Sequence, residues 1–388
     1  MTSRVIIIVL DSLGIGNAPD AAAYGDEGAN TLVNMSRAVG GLNIPALCSL
    51  GLGSILPDAI QGCGAVAEPR AAYGRMSERS AGKCTTTGHW EMAGIVTTEP
   101  FPTFPHGFEP AFMQRWADET GVDGWLHNAP ASGTEIIQRF GKLHITSGLP
   151  IVYTSGDSVF QIAAHEQHFG LQRLYDICAR TRTMVDPLRI GRVIARPFVG
   201  EAAGSFVRTT NRHDYSLVPP EPHALTLIRD AGLIVAGIGK IWDIFAGSGV
   251  TSSTRTTSNE NGMDVLDASL GQVGRGLIFI NLVEFDALYG HRRDPAGDAR
   301  CLEAFDRRLA ALLPRLQPTD LLLITADHGL DPTFRGTDHT REMVPVLAFA
   351  PGRPGRPLGV RSSFADIGAA ACAALGVPPP PHGEQLPP

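Results

Sequence analysis

The sequence has no excess of positive charge and no long hydrophobic run. Its net charge is −7 at pH 7, whereas a surface that binds nucleic acid through phosphates is rich in lysine and arginine. We therefore expect no nucleic-acid partner. The first apolar run, Val5–Leu10, is too short for a signal peptide or a membrane span. The sequence thus predicts a cytoplasmic protein with no membrane partner.

Two familiar kinds of motif are also absent. Gly14-Ile15-Gly16 and Gly237-Ile238-Gly239 lack the third glycine or alanine of a nicotinamide-binding Rossmann fold, so support for that rival is weak. The cysteines are scattered and include no C-x-x-C pair, which argues against a disulfide framework and a structural zinc site. The six cysteines are Cys48, Cys63, Cys84, Cys178, Cys301 and Cys372.

Five short apolar runs mark the fold, and each ends in a polar or glycine-bearing turn. Runs that are apolar at nearly every position are typical of strands buried on both faces, as in a parallel sheet. Between two of them, Leu302, Phe305, Leu309, Leu312 and Leu316 recur at spacings of three and four, which predicts a helix. The alternation indicates a doubly wound α/β sheet. The runs are VIIIVL, LIVAGIG, LIFINLVEF, LLLITA and VPVLAFA.

The middle of the chain differs in composition from the segments around it. Two connections rich in proline and polar residues, 99–110 and 208–222, enclose a segment with its own strand-like run, LPIVYTS, and its own helical patterns. We expect an inserted α+β cap domain at 99–217. Residues 1–98 and 218–388 would then return to one catalytic core domain.

Aspartates and histidines follow three of the predicted strands. Asp11, Asp286 and Asp327 come directly after apolar runs, and open α/β sheets bind ligands beyond the carboxyl ends of their strands. Three converging carboxylates are unfavourable without a cation. Together with the nearby histidines they could hold two divalent ions of the Mn, Zn or Mg type. The predicted ligands are Asp11, Asp286, His291, Asp327, His328 and His339.

Each of these residues also has a structural explanation when it is considered alone. An aspartate after a strand is often a helix N-cap, and a single surface histidine is usually solvated. The threonines of GKCTTTGHWE, residues 82–91, could likewise cap the helix that follows, or supply a nucleophilic hydroxyl beside metal ions. Six such residues together favour the metal site.

Eight sequence blocks follow one another in order over nearly the whole chain: DSLGIG, GKCTTTGHWE, PASGTEI, IVYTSGDSVFQIAAHE, GRVIARPFVG, TNRHDYSL, NLVEFDALYGHRRDP and TADHGLDPTFRGTDHTRE. Together they resemble the phosphopentomutase family of the alkaline phosphatase superfamily. The resemblance implies an alkaline-phosphatase-like core with a cap domain. It also implies an enzyme that interconverts ribose 1-phosphate and ribose 5-phosphate, and the 2-deoxy sugars, through a phosphothreonine and a 1,5-bisphosphate.

The resemblance assigns roles to single residues. Thr85 would carry the phosphate after priming by a sugar bisphosphate, and Asp157 matches a position that contacts the sugar. Because of their positive charge, four residues are predicted to contact phosphate: Arg192, Arg196, Arg208 and Lys240. For the three arginines, surface salt bridges are the alternative. Two Mn²⁺, or other divalent ions, would have three ligands each: Asp286, His291 and His339 for one, and Asp11, Asp327 and His328 for the other.

Several choices stay open at this point. Cys84 stands where the family commonly has aspartate. This difference either alters the priming of Thr85 or the choice of substrate, or is tolerated; the C-x-P-x-R context of sulfatases is missing. Asp338 either orients His339 or caps a turn. The alternative functions are a phosphoglycerate-mutase-like enzyme, a phosphatase, a mutase for a modified pentose phosphate, and a non-catalytic metal-binding protein. The oligomeric state is also open.

Overall fold

The computed structural model describes residues 2–386, which form two compact units. The first unit, the core, contains the chain up to Pro100 and again from Pro219; the second, the cap, is Phe101–Val218. The predicted domain boundaries lie between residues 98 and 99 and between residues 217 and 218. They are two residues and one residue before the boundaries of the two units. Within residues 2–386, no helix combines the length and hydropathy needed to cross a bilayer.

Within the described residues, each unit contains one sheet. The core sheet has eight strands and the cap sheet six, and all five apolar runs are strands of the core, so the predicted α/β class is confirmed. In chain order the strands are β1 (Arg4–Leu10), β2 (Ala72–Met76), β3 (Leu126–Pro130), β4 (Ile151–Thr154), β5 (Val159–His165), β6 (Arg192–Val199), β7 (Val207–Arg208), β8 (His213–Ser216), β9 (Ile234–Ile238), β10 (Ser252–Thr254), β11 (Gly276–Leu282), β12 (Asp320–Thr325), β13 (Val344–Phe349) and β14 (Pro357–Arg361).

The order of the strands places β1 at the centre of the core sheet. That order is β10-β9-β11-β1-β12-β13-β2-β14, and β1 pairs in parallel with both β11 and β12. The cap sheet has the order β3-β4-β5-β6-β7, with β8 also paired to β6. Because β1, β11 and β12 are parallel neighbours, the loops that follow them leave from the same edge of the sheet.

Helices pack on both sheets, with α11 against β11 and α8 against β6. The predicted amphipathic helix is α12, whose leucines and Phe305 are buried; it begins at Pro295, where the Asp294 carboxylate accepts from the Gly297 N–H at 2.8 Å. The helices are α1 (Ala21–Tyr24), α2 (Thr31–Val39), α3 (Pro45–Leu50), α4 (Leu52–Ile55), α5 (Thr85–Met92), α6 (Pro110–Thr120), α7 (Gly133–Ser147), α8 (Leu171–Val185), α9 (Ala224–Asp230), α10 (Ile241–Ile244), α11 (Asn259–Gln272), α12 (Pro295–Leu312) and α13 (Asp366–Leu375), with π-helical turns at Glu166–Gly170 and Phe285–Gly290 and a 3-10 turn at Leu313–Arg315.

Strand β13 departs from the parallel arrangement that its apolar run suggested. It pairs antiparallel with both β12 and β2. The chain passes from β12 to β13 through residues 326–343 without a crossover helix, so β13 enters the sheet from the edge at which β12 leaves it. Because it is buried almost as fully as its neighbours, its hydrophobic pattern does not reveal its direction.

One disulfide, between Cys48 and Cys63, corrects the expectation drawn from cysteine spacing. The two Cα atoms are 5.6 Å apart, and the residues are separated by 15 positions in the sequence. That separation matches no spacing motif. Only the fold brings α3, which carries Cys48, beside the segment that leads to β2.

His144 of the cap is held neutral by two backbone groups. Its Nδ1 donates to the carbonyl of Leu149 at 2.7 Å, and its Nε2 accepts from the backbone N–H of His165 at 2.8 Å. Protonation of Nε2 would break the second hydrogen bond. Burial lowers the pKa of His144 below its ordinary value of 6.5.

We expect the free energy of unfolding to fall as the pH drops below 6.5, because the unfolded chain then takes up a proton that folded His144 does not. The variant His144→Gln removes this ionisation, so its stability should depend less on pH than that of the wild type. Urea unfolding at about pH 7.5 and about pH 5.5 measures both. Equal pH dependence in the two proteins would contradict the assignment.

Candidate active site

The predicted aspartates lie near one edge of the core sheet. Asp11 directly follows β1, Asp327 follows β12, and both are fully buried. No helix begins within nine residues of Asp11, since α1 starts at Ala21, so Asp11 is not a helix N-cap. Asp286 lies four residues beyond the end of β11, inside a π-helical turn, rather than directly at a strand end as expected.

The three predicted histidines each present Nε2 to an aspartate. The rings of His328 and His339 stack, with their centroids 3.9 Å apart. All six predicted ligands are therefore brought into one cluster. The Nε2···Oδ distances are 3.4 Å for His291 to Asp286, 3.2 Å for His339 to Asp286, 3.5 Å for His328 to Asp11 and 3.3 Å for His328 to Asp327.

The other ring nitrogen, Nδ1, faces a backbone carbonyl in all three histidines. Because a carbonyl only accepts, Nδ1 carries the proton and Nε2 presents a lone pair to the aspartates. Burial lowers the pKa of His328 to about 4, which agrees with a neutral ring. Lone pairs that face carboxylates repel, and a cation between them removes the repulsion. The Nδ1···O distances are 2.7 Å for His291 to Thr337, 2.9 Å for His339 to Lys83 and 3.2 Å for His328 to Gly329.

The carboxylates also fit divalent cations. Asp11 Oδ1, Asp286 Oδ1 and Asp327 Oδ2 are buried and accept no hydrogen bond within residues 2–386. Burial, and then the charges of Asp327 and Asp286, raises the pKa of Asp11 well above its ordinary value. Oxygen and imidazole donors without thiolate suit Mn²⁺, Zn²⁺ or Mg²⁺. The residues present therefore fit the predicted ions.

The donor atoms form two groups, each with all atoms within 4.8 Å of one another. The first contains Asp286, His291 and His339, the set predicted for one ion. The second contains Asp11, Asp286 and His328, with Asp286 where the prediction has Asp327. Since Asp286 belongs to both groups and Asp327 Oδ2 lies 3.3 Å from His328, the two groups adjoin.

Thr85 is the first residue of α5, and its hydroxyl lies at this cluster, with Oγ1 3.3 Å from His328 Nε2. The capping contacts of the helix are made by Thr87 instead. Thr87 Oγ1 accepts from the backbone N–H of Cys84 at 3.2 Å and donates to its carbonyl at 2.9 Å. The capping explanation therefore applies to Thr87 and leaves the hydroxyl of Thr85 for the site.

Asp338 lies in a bend just before His339 and does not orient the ring of that histidine. Its exposed carboxylate accepts from the backbone N–H of His339 at 3.0 Å, whereas Nδ1 of that ring faces the carbonyl of Lys83. Cys84, half-buried at the start of α5, has its Sγ 3.7 Å from Thr87 Oγ1. Cys84 therefore contacts the helix cap.

The predicted substrate cations are distributed over both units. In the core, Lys240 follows β9 and lies near the cluster. Burial raises the pKa of Asp11, and the positive charge of Lys240 opposes that rise. In the cap, Arg192 Nη2 lies 3.4 Å from Asp157 Oδ2, and Arg192 Nη1 lies 3.5 Å from Asp214 Oδ2. Arg192 therefore makes two ion pairs in the cap, one of them with the predicted sugar contact Asp157.

Arg196 and Arg208 have a different environment in the cap. Arg196 donates to Gln161 Oε1 at 3.0 Å, and within residues 2–386 no carboxylate lies within ion-pair distance of its guanidinium or that of Arg208. Burial, and then the charge of Arg212, lowers the pKa of Arg196 to about 10. Surface salt bridges do not account for these two arginines.

Sequence reasoning missed Arg341, which holds the segment that precedes Thr85 in place. Its side chain is almost fully buried two residues after His339. It donates to Glu78 Oε2 at 2.6 Å and to the carbonyl of Gly82 at 2.5 Å. These bonds tie the segment that leads to Thr85 to the loop that carries His339. A charged residue three positions before the first residue of the apolar run VPVLAFA was the available signal in the sequence.

Comparison with known proteins identifies the family of this chain. A family model described as the Metalloenzyme superfamily matches residues 3–379. A phosphopentomutase from Anaeromyxobacter dehalogenans strain 2CP-C is 54% identical over 374 residues, which cover 96% of this chain and 95% of that protein. The chain belongs to the phosphopentomutase family. A phosphopentomutase from Symbiobacterium thermophilum is 53% identical over 385 residues, which cover 99% and 97% of the two chains.

Membership of the phosphopentomutase family confirms the predicted enzyme class, a mutase, and the alkaline-phosphatase-like α/β fold. A solved phosphoglycerate mutase from Leishmania mexicana is only 12% identical, with a TM-score of 0.46 over 99% of this chain and 97% of that one. A likeness of that size says nothing about the substrate. The individual roles of Thr85 and of the six ligands stay predictions.

Proposed function

We propose that this enzyme moves a phosphate between the C1 and C5 oxygens of ribose or 2-deoxyribose, with Thr85 as the carrier. The observation that carries the proposal is the hydroxyl of Thr85, 3.3 Å from His328 Nε2 at a cluster of six aspartates and histidines. A hydroxyl in this position can act as a nucleophile when its negative charge is stabilised.

Two Mn²⁺ ions would stabilise that charge. Asp286, His291 and His339 would hold one, and Asp11, Asp327 and His328 the other. When bound, the ions supply Lewis-acid stabilisation of the threonine alkoxide and the phosphoryl oxygens. The protein itself fixes the tautomer of each histidine through a backbone carbonyl. Thr85, the proposed phosphate carrier, is the first residue of α5, and negative charge is favoured at the N-terminus of a helix.

In the proposed reaction, the enzyme carries a phosphate on Thr85 both before and after each cycle. Phosphorylated Thr85 gives its phosphoryl group to the free hydroxyl of a pentose monophosphate, and the O–P bond to Thr85 breaks as the bond to the sugar forms. The 1,5-bisphosphate then returns its other phosphate to Thr85. The net result is isomerisation, and a sugar bisphosphate primes the first cycle.

Arg196 and Arg208 support binding of a phosphate in the cap. The hydroxyl of Tyr153 is buried and makes no hydrogen bond within residues 2–386. Burial raises its pKa, and the positive charges of Arg196, Arg208 and Arg212 lower it in part, so these arginines lie near that hydroxyl. Cations without carboxylate partners beside an unused hydroxyl favour an anionic ligand. Asp157 and Arg192 in the cap and Lys240 in the core complete the proposed substrate contacts.

The other parts of the proposal follow from the substrate. Small phosphorylated sugars would be its partners, with no nucleic acid or membrane among them, and the enzyme would act in the cytoplasm. A net charge of −7 supports the absence of a nucleic-acid partner. Manganese is the predicted ion, although Zn²⁺ and Mg²⁺ suit the same donor atoms.

Phosphorus NMR of the enzyme with ribose 5-phosphate, a trace of sugar bisphosphate and Mn²⁺ tests the proposal. Ribose 1-phosphate should form with little inorganic phosphate, and a chelator should stop the reaction until Mn²⁺ is restored. Thr85→Ala should form no product, because it lacks the carrier hydroxyl. Thr86→Ala, one residue further along α5, is the matched control and should stay active. Inorganic phosphate as the main product would identify a phosphatase instead.

A further inference from the structure

His89 lies behind the nucleophile, inside the core. It is fully buried and occurs four residues after Thr85 in α5, so the two residues share one face of the helix. Its Nδ1 lies 2.9 Å from the carbonyl oxygen of Thr85 and 3.3 Å from Asp327 Oδ2. One nitrogen therefore faces both the phosphate carrier's backbone and a predicted metal ligand.

Asn281 connects His89 to a second predicted ligand. It lies on β11, opposite Val9 of β1, which places it beside Asp11 at the end of that strand. Its Nδ2 is 3.3 Å from Asp11 Oδ2 and 3.2 Å from His89 Nε2. A single amide nitrogen thus contacts both the carboxylate and the imidazole.

These contacts determine the protonation of His89. An amide nitrogen donates, so His89 Nε2 accepts and the ring proton is on Nδ1. That N–H donates to the carbonyl of Thr85 and directs its positive end toward Asp327 Oδ2. The opposite amide orientation of Asn281 would place its oxygen against the carboxylate of Asp11, where two acceptors repel.

We propose that His89 and Asn281 are positioning residues for the nucleophile and for the second ion, the one that Asp11, Asp327 and His328 would hold. Together they fix the carboxylates of Asp11 and Asp327 relative to one another and to the start of α5. They act through those groups and not on the substrate. The inference rests on the proposed two-ion function. It distinguishes the two ions, because His89 contacts Asp327 and Asn281 contacts Asp11, and both aspartates are proposed ligands of the second ion.

Titration with Mn²⁺ alone, following the EPR signal of the free ion, tests this role without turnover. The wild type should bind two ions. His89→Ala and Asn281→Ala should bind one of them roughly 10–100-fold more weakly, the usual effect of losing a group that orients a ligand, and leave the other unchanged. The double variant should lose less than the sum of the single losses, because both residues belong to one chain of contacts.

Conservative variants separate positioning from packing. His89→Asn keeps an amide donor near the position of Nδ1, whereas His89→Gln places its amide near the position of Nε2. Ion affinity should therefore be higher in His89→Asn than in His89→Gln. The same order is expected for kcat at saturating Mn²⁺, with the KM for ribose 5-phosphate nearly unchanged.

His223 provides the matched control. It is also a fully buried core histidine that lies against a phenylalanine, and it bonds to Ser248. His223→Ala should lower the thermal stability of the chelator-treated protein and leave both ion affinities unchanged. If His89→Ala does not fold, His89→Asn, His89→Gln and Asn281→Ala still give the comparison.

Two results would overturn the inference. One is wild-type affinity for both ions in the His89 and Asn281 variants. The other is an equal loss of ion affinity in His223→Ala, which would show that any buried histidine has this effect. A wild type that binds fewer than two ions would instead contradict the proposed function, so the two failures are distinguishable.

Discussion

Asp327→Asn should bind the second ion more than about 100-fold more weakly, a larger loss than is usual for groups that only orient ligands. Asparagine has the same shape as aspartate, and its oxygen can still accept from the backbone N–H of Ser12, which bonds Asp327 Oδ1 at 3.1 Å. Its amide nitrogen, however, replaces the negative oxygen that faces His328. The fold should survive while the ion site does not.

Mn²⁺ titration and turnover at increasing Mn²⁺ concentration measure the effect of Asp327→Asn. Activity should be lost at low Mn²⁺ and return only partly when the ion is in large excess. Asp338→Asn makes the same chemical change in an exposed bend beside His339 and should alter neither quantity. Full activity of Asp327→Asn without added metal would show that Asp327 is not a ligand.

Gly88→Ala should reduce kcat about 100-fold or more, although it removes no reactive group. A Cβ atom on Gly88 would lie 2.0 Å from the carbonyl oxygen of Asp327, so the backbone of α5 or of the strand end must move. Helix α5 carries Thr85, and Asp327 is a predicted ligand. A displacement of about 1 Å between a nucleophile and its ions is enough for this loss.

Steady-state turnover and thermal unfolding of Gly88→Ala separate misplacement from unfolding. Gly271→Ala is the matched control, since a Cβ atom there meets no other atom within 4 Å in helix α11. It should keep full activity and gain up to about 1 kcal/mol of stability, because alanine favours helix over glycine. A Gly88→Ala enzyme as active as Gly271→Ala would contradict the close packing of α5 on Asp327.

The strands of the core and most of the site were predictable because burial and chemistry act on short stretches of sequence. VIIIVL and LLLITA are apolar at nearly every position, and Asp11 and Asp327 follow them at the edge where parallel strands meet. Residues whose role depends on a distant contact were not predictable. The direction of β13 and the pairing of Cys48 with Cys63 depend on which segments the fold brings together.

The supporting residues of the site show the same limit. Asn281 is a single polar residue in the apolar run LIFINLVEF, and His89 lies one helical turn after Thr85, so both left a signal in the sequence. Neither signal identified a partner, because Asn281 meets Asp11 across 270 residues of chain. Asp286 was predicted as a candidate ligand, but its position four residues past β11 depends on a π-helical turn that apolar patterning does not reveal.

The central claim is that Thr85 carries the phosphate between the two sugar oxygens, and a single-turnover chase tests it most directly. Enzyme phosphorylated with a radiolabelled sugar bisphosphate is freed of small molecules, mapped by peptide mass spectrometry, and mixed with unlabelled ribose 5-phosphate and Mn²⁺. The label should be on Thr85 before the chase and in pentose phosphates after it. Label on another residue, or label released mainly as inorganic phosphate, would contradict the claim.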